Sequence, residues 1–346
     1  MRTPRLHLAH LPTPLERHPR LADALGCDLW VKRDDATGGA EAGNKIRKLE
    51  YLVADARAKG ADTLITCGGL QSNHARATAL TAARLGLRAV LLLRTTDPIE
   101  ATQAGIEARP EGNVLLDRMA GAEIRLITPA EYRERAARMV AVAEELAAAG
   151  ARPYVIPEGG SNALGSLGYA RAMREVREQL DVGLGDVERL ELGRSGRPFD
   201  VIVHACGSGG TAAGVVLGAA RWEVAEEVRA IAVCDDAATF QARIAAIVDA
   251  CRGLEPELGR AARLVVDDRS KGPAYGVATD EQKALIVKVA RLAGLVLDPV
   301  YTGKAFAALA AACASGELRG KRVLFLHTGG LPGLLAQGEG LAASVR

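Results

Sequence analysis

The sequence predicts an α/β protein built from open, twisted parallel sheets, and three observations carry that reading. Strand-length apolar runs alternate with helix-length periodic runs along most of the 346 residues, the pattern of βαβ units with helices on both faces of a parallel sheet. Glycine clusters at Gly68-Gly69, Gly159-Gly160, Gly207 to Gly210 and Gly329-Gly330 each fall at the end of a strand-like run, where open α/β sheets bind their ligands. Apolar residues make up 49% of the chain, so one large domain or two ordinary ones can each bury a core.

The elements follow in order. "DLWVKRD" (28–34) reads as a strand. Residues 44–60 carry helical spacing at Ile46, Leu49, Leu52 and Val53 and end at Gly60. "TLITCGG" (63–69) is a short buried strand, followed by a helix from Asn73 and the strand "RAVLLLR" (88–94). A helix near 113–120, the strand "EIRLIT", a long helix over 129–149, the strand "PYVIPEGG" and a helix over 165–180 come next. Residues 181–198 are rich in glycine, charge and turn signals and read as a surface excursion. The alternation resumes with "FDVIVHACGSGG", a helix over 211–220, "VRAIAVCDD", a helix over 239–252, "ARLVVDD", a helix over 280–293 and the strand "KRVLFLHTGG".

Composition narrows the function. A net charge of +2 with interleaved signs and an aromatic content of 3% give no support for a nucleic-acid partner. The longest apolar runs are strand-length, so no membrane span is expected, and no secretory leader is read at the N-terminus. The six cysteines are scattered without a C-x-x-C pair, which points to neither a disulfide framework nor a zinc site and fits a reducing, cytoplasmic setting. A small-molecule ligand is the expected partner.

Three stretches carry chemistry. In "EAGNKIRKLE" (41–50), a solvated helix face would account for Arg47 and Lys48. Lys45 is different, because it opens a helix behind a Gly-Asn turn, on the unfavourable end of the dipole for a cation. Either it points into water, or the site wants an amine that deprotonates easily. "CGGLQSNHARATA" (67–79) places Ser72, Asn73 and His74 at a helix N-terminus, as an ordinary cap or as a carboxylate-binding loop. "VHACGSGGTAAG" (203–214) is a strand-to-helix anion cradle in which Ser208 and Thr211 add hydroxyls. It also fits a dinucleotide fingerprint through Gly207, Gly209 and Ala212, with Asp235-Asp236 ending the next strand. That rival leaves Lys45 without a role. A lysine with a phosphate cradle is what pyridoxal 5′-phosphate requires, since its aldehyde is held as a Schiff base.

Taken in order along nearly the whole chain, "GNKIRKLEY", "GGLQSNHAR", "GSGGTAAG", "DPVYTGK" and "HTGGLPGL" resemble the D-cysteine desulfhydrase / 1-aminocyclopropane-1-carboxylate deaminase family, which belongs to the fold-type-II pyridoxal phosphate enzymes. The opening "LAHLPTPLE" and "VKRDD" are similar to the family as well. The resemblance implies two open parallel-sheet domains with the site in the cleft between them. The large cofactor domain would comprise 1–47 and 163–346, the small domain 48–162, and the assembly would be a homodimer. It further implies that Lys45 carries the Schiff base, whereas Lys48 reads as surface or structural. Ser72, Asn73 and His74 would hold the substrate carboxylate, with Asn73 also at the cofactor's 3′-oxygen. Gly207, Ser208, Gly209, Gly210 and Thr211 would hold the phosphate. Tyr301 would stack on the pyridine ring, and Tyr275 would lie near the substrate as a polar or proton-transfer group.

The activity so implied is α,β-elimination on a small amino acid, with Lys45 removing the α-proton. Two departures from the ring-opening members bear on the substrate. Thr302 stands where those members have a glutamate against the pyridine nitrogen, and Thr328 stands where they have an apolar leucine. Both point to D-cysteine desulfhydration, giving pyruvate, sulfide and ammonia. An L-cysteate sulfo-lyase and the cyclopropane deaminase are the alternatives within the family. A nicotinamide-dependent oxidoreductase using residues 207–212 and a non-catalytic amino-acid-binding module are the alternatives outside it.

Overall fold

The structure is a computed structural model, and residues 3–95, 110–183 and 196–345 are described. The expected excursion at 181–198 lies largely outside them. Ten strands are found among the described residues, in two sheets. Their ranges are β1 (Leu15–Arg17), β2 (Asp28–Lys32), β3 (Thr63–Gly69), β4 (Arg88–Arg94), β5 (Glu123–Ile127), β6 (Pro153–Val155), β7 (Val201–Cys206), β8 (Glu227–Ala232), β9 (Arg263–Asp267) and β10 (Arg322–Leu326). The larger sheet runs β1-β2-β10-β7-β8-β9 and the smaller β5-β4-β3-β6. Every pairing is parallel except β1 with β2. Strand β1 was not expected from the sequence. Three residues are too few for a period to show, and it forms only because Leu15 and Arg17 find β2 as an edge template.

Helices cover both faces of the larger sheet. One core packs the helices Ala163–Val182, Gly210–Arg221 and Ala237–Leu254 on one face. The other packs Pro19–Leu25, Asp280–Ala293 and Thr302–Ala314 on the opposite face. This double covering explains why all residues of β7 and β8 are buried. The helix Thr302–Ala314 was missed for the same reason. Its sequence, TGKAFAALAAACA, is apolar on most sides, so no amphipathic stripe marks it. The expected helix over 129–149 is two, Pro129–Arg133 and Arg135–Ala148, meeting at Glu134. The strand read in "PYVIPEGG" stops at Val155, and a short 3-10 turn takes Glu158–Gly160.

The helix Asn44–Ala58 joins the two halves. Its apolar residues Leu49, Leu52, Val53 and Ala56 belong to the core of the smaller sheet, while Tyr51 packs into that of the larger. A division at 47/48 would therefore fall inside one continuous helix. Arg47 and Lys48, read as a solvated face, are both buried. Arg47 reaches Asp34 and Glu175, and Lys48 reaches Gly159 and Ser161.

Close approach of this helix to Ala163–Val182 depends on Gly168. A methyl there would stand 2.2 Å from the Arg47 carbonyl oxygen, a backbone atom that cannot swing aside. We expect Gly168→Ala to destabilise the fold by about 1–3 kcal/mol through overpacking. Gly253→Ala, where nothing lies within 4 Å of the added methyl, should be neutral or stabilise by about 0.5–1 kcal/mol. Urea denaturation of both variants checks the contrast.

Candidate active site

The carboxyl ends of β3, β4, β7 and β8 converge on one cavity of about 270 Å³. Its walls include Lys45, Gly68 and Gly69 ending β3, Arg94 ending β4, Gly207 and Ser208 after β7, and both Tyr275 and Tyr301. A smaller recess shares Lys45, Gly207, Ser208 and Tyr301 with it and adds Asn44, Asn73, Gly209, Thr211 and Thr328. Three of the four glycine clusters thus meet at the cavity and the fourth, through Gly329, reaches the recess.

Lys45 is the second residue of its helix, behind Gly43. Gly43 has φ 120°, and a methyl there would stand 3.1 Å from the Thr328 carbonyl oxygen, so both conformation and space call for glycine. The Lys45 ammonium donates to its neighbour Asn44 Oδ1 at 3.2 Å and lies 6.0 Å from the Tyr301 ring centre. Burial lowers its pKa from 10.5 to about 8, with Arg76 adding repulsion. Lys45 therefore points into the site rather than into water, and its neutral form is easy to reach.

The anion cradle is more elaborate than the glycine run alone. Gly210 N donates to Ser161 Oγ at 3.2 Å, Ser161 and Ser208 hydroxyls lie 2.8 Å apart, and Asn44 Nδ2 donates to Thr211 Oγ1 at 3.2 Å. Lys48 Nζ donates to Ser161 Oγ at 3.1 Å and to the Gly159 carbonyl at 3.0 Å. Burial, then repulsion from Lys45, holds the Lys48 pKa well below its ordinary value. Among the described residues this buried amine has no carboxylate partner. Sequence reasoning missed Ser161 and Lys48 behind the cradle, as well as Asn44, Arg94, Tyr132 and Glu158 in the walls. Ser161 directly follows a glycine cluster, and Lys48 lies one helical turn from Lys45, so both left a signal.

Ser72 is both cap and wall. Its hydroxyl accepts from Ala75 N at 3.2 Å and it lines the cavity. Asn73 lines the recess and accepts from Asn113 Nδ2 at 3.2 Å. His74 forms part of the cavity wall but is buried, with Nε2 at 2.9 Å from Thr66 Oγ1. That hydroxyl gives its proton to the Ile156 carbonyl, which puts the histidine proton on Nε2 and leaves Nδ1 without a partner. Burial, reinforced by Lys45 and Lys48, keeps the ring neutral. The Tyr275 and Tyr301 hydroxyls are 2.6 Å apart with rings edge to face. A methyl on Gly207 would stand 3.0 Å from the Tyr301 ring, so the tyrosine lies directly against the loop. Burial raises the Tyr275 pKa to about 12, so the hydroxyl keeps its proton at neutral pH.

The two threonines part company. Thr328 lines the recess. Thr302 lines neither cavity nor recess. It is fully buried, donates to Asp298 Oδ1 at 2.7 Å and accepts from Asp298 N at 2.8 Å. The expectation that Thr302 faces a pyridine nitrogen is corrected accordingly: its hydroxyl is spent closing the turn before its own helix. The acidic pair that would suit a dinucleotide is likewise committed. Asp236 caps the helix Ala237–Leu254 by accepting from Thr239 N at 2.7 Å, and Asp235 lies 3.3 Å from Arg243.

A doubly wound cleft with a lysine of lowered basicity beside a strand-to-helix anion cradle defines the class, an enzyme that holds a phosphorylated aldehyde cofactor. The chain belongs to the family described as pyridoxal-phosphate dependent enzyme, which matches residues 6–329. Within it, a bifunctional D-cysteine desulfhydrase/1-aminocyclopropane-1-carboxylate deaminase, mitochondrial, of Arabidopsis thaliana is 41% identical over 341 residues, 97% of this chain and 80% of that relative. A putative 1-aminocyclopropane-1-carboxylate deaminase of Pyrococcus abyssi is 41% identical over 338 residues, 98% of this chain and 95% of the relative. A crystal structure described as an ACC deaminase homologue superposes with a TM-score of 0.82 at 36% identity, covering 99% of this chain and 96% of that one. An L-serine ammonia-lyase from Rhizomucor miehei, at 18% identity and a TM-score of 0.64, shares the fold. The fold is that of the fold-type-II pyridoxal phosphate enzymes, and the cofactor is pyridoxal phosphate.

The residues present fit that cofactor. The recess offers a helix N-terminus and the hydroxyls of Ser208 and Thr211 beside the amine of Lys45, with Ser161 and the acid-free Lys48 amine hydrogen-bonded behind Ser208. Cofactor-free protein should therefore capture added pyridoxal phosphate at a rate that rises with pH through a midpoint of about 8, because the lowered pKa makes Lys45 neutral there rather than near 10.5. Stopped-flow absorbance checks this. Lys45→Ala should lose the borohydride-sensitive yellow band, whereas Lys48→Met should keep it and release cofactor more readily.

Proposed function

We propose that this protein is a β-eliminating lyase acting on a small β-substituted amino acid, with D-cysteine as the substrate and pyruvate, sulfide and ammonia as the products. The observation that carries the reading is Lys45, whose amine is made easy to deprotonate by burial at the junction of an anion cradle and a substrate-sized cavity. The names of the relatives support the substrate class.

Bound pyridoxal phosphate supplies an electron sink that acidifies the substrate Cα–H bond. Lys45 Nζ receives that proton, and its lowered pKa suits a base working near neutrality. Ser72 and Asn73 hold the substrate carboxylate at the N-terminus of the helix Asn73–Arg84, where the dipole favours an anion, and so orient Cα. His74 acts beneath them as a neutral support. Tyr301 would flank the cofactor ring, and the Tyr275 hydroxyl, hydrogen-bonded to Tyr301, would hand a proton to the product side. Gly207 to Thr211, backed by Ser161 and Lys48, would hold the phosphate, and Thr328 lines the same recess. The large domain of 1–47 and 163–346, the small domain of 48–162, a homodimeric state and a cytoplasmic location belong to the same proposal. No helix among the described residues is long and apolar enough to cross a membrane.

Opening of the cyclopropane amino acid is the second reading, favoured by the names that the relatives carry. With Thr302 committed to Asp298, the preference for elimination rests on Thr328 and the polar cavity. D-cysteine, L-cysteine, L-cysteate and 1-aminocyclopropane-1-carboxylate are compared at matched concentrations, following pyruvate, sulfide, sulfite and 2-oxobutyrate. Sulfide from D-cysteine should dominate, and predominant 2-oxobutyrate would replace the first reading with the second.

The carboxylate clamp has its own test. Ser72→Ala and Asn73→Ala should each weaken amino-acid binding by about 1–3 kcal/mol, the cost of a lost charge-assisted hydrogen bond. Cofactor affinity should move far less. Equal losses for an amino acid and its decarboxylated amine would remove the clamp from the mechanism.

A further inference from the structure

One charged group in the cavity has no place in the scheme so far. Arg94 is the last residue of β4, in register with Gly69 at the end of β3, three residues before the Ser72 loop. Its guanidinium carbon lies 5.1 Å from the Tyr132 ring centre and 5.8 Å from that of Tyr275. Its Nε is buried without a hydrogen-bond partner. The other cavity charges are different. Arg135 meets Glu158 at 2.8 Å, and Arg243 meets Asp235 at 3.3 Å. Glu158 also accepts from the Tyr132 hydroxyl at 2.6 Å, so the acid nearest this corner is already engaged. Arg133 is exposed at the rim. Among the described residues, Arg94 is the inward arginine whose charge no carboxylate answers.

Two aromatic faces beside a guanidinium stiffen it and leave its N–H edge directed to a planar or tetrahedral anion. That anion is neither the cofactor phosphate nor the substrate carboxylate, for which the cradle of Gly207 to Thr211 and the Ser72 loop provide separate positions. What remains is the substituent on Cβ. We propose that Arg94 is a specificity-determining residue that receives an anionic β-substituent, so that the enzyme favours amino acids whose leaving group carries or develops negative charge there. The inference rests on the β-elimination reading above. In the step it serves, the Cα–H proton passes to Lys45 Nζ, the Cα electron pair forms the Cα–Cβ double bond, and the bond from Cβ to the substituent breaks. The substituent leaves with its electron pair as hydrosulfide from cysteine or sulfite from cysteate, facing Arg94. The charge of Arg94 is constant, so it stabilises that anion without a proton transfer of its own.

The test uses holoenzyme and aspartate, whose β-carboxylate occupies the leaving-group position and does not eliminate. Binding of D- and L-aspartate and of D- and L-alanine is followed through the visible spectrum of the bound cofactor in wild type, Arg94→Gln and Arg94→Lys. Wild type should bind one aspartate enantiomer about tenfold more tightly than the matching alanine, the scale of one charge-assisted hydrogen bond. Arg94→Gln should abolish that preference and leave alanine within about twofold, and Arg94→Lys should keep part of it. The second readout is turnover, where kcat/KM in Arg94→Gln should fall more for cysteate than for β-chloroalanine. Equal wild-type affinity for aspartate and alanine overturns the proposal. So does a parallel loss of both ligands in the two variants, which would mark Arg94 as part of the frame. If no amino acid perturbs the wild-type spectrum, the elimination reading fails and this one with it, whereas a response without charge preference sinks this one alone.

Discussion

The site depends on a buried ion network centred on Arg47, two residues from the lysine that would do the chemistry. Its guanidinium donates to both oxygens of Asp34 at 2.8 Å and to both oxygens of Glu175 at 2.9 Å. Asp34 follows β2, Glu175 lies in the helix Ala163–Val182, and Thr13 comes from the N-terminal segment and donates to Asp34 at 2.9 Å. Tyr169 donates to Asp34 at 2.6 Å, and Lys32 reaches Glu175 at 2.6 Å. Three separated stretches of chain, at Thr13, at Lys32 to Asp34 and at Tyr169 to Glu175, are locked to one turn of the helix Asn44–Ala58. Burying so many charges is costly, and it is tolerated because the donors and acceptors answer one another. Burial alone would raise the Glu175 carboxyl, yet Arg47 and Lys32 bring it down to about 2.

That anchoring explains how Lys45 can be left poorly solvated. A flexible helix start would let the ammonium swing to water and recover its ordinary basicity. Arg47 instead fixes the first turn, and Arg76 ties down the loop before it by donating to the carbonyls of Ala40 and Ala42. Lys45 then donates to Asn44 and lies near the Tyr301 ring. The three basic residues that open this helix thus meet two fates. Arg47 is charged and fully paired, whereas burial shifts both Lys45, in the cavity wall, and Lys48, behind the anion cradle, toward neutrality.

The cleft extends the same division of labour. The larger sheet supplies the cradle and the tyrosine against it, and the smaller sheet supplies Ser72, Asn73 and Arg94 from the ends of adjacent strands. Since β3 and β4 are paired in register up to Gly69 and Arg94, the carboxylate loop and the arginine are set by one rigid edge. A ligand bound by both sheets would be held at several points, which is the condition for orienting a single bond over the cofactor.

Much of this was legible in the sequence. The alternation of elements gave the parallel sheets, because strand and helix periods are local properties. The glycine clusters marked the ligand edge, and a lysine behind a Gly-Asn turn raised the question of its charge. The helix Thr302–Ala314 and strand β1 were not legible, since an evenly apolar helix has no polar face and a three-residue edge strand has no period. Within the site, sequence alone set which residue types stand at strand ends and helix starts, and with them the cradle and Lys45. Tertiary structure decided the partners. Lys48 and Arg47 look like surface charges until distant segments close over them. Thr302 looks available until Asp298 takes its hydroxyl, and Arg94 looks like the polar end of a strand until Tyr132 and Tyr275 flank it. Local order is written in neighbours along the chain, whereas charge state, burial and hydrogen-bond commitment depend on neighbours in space.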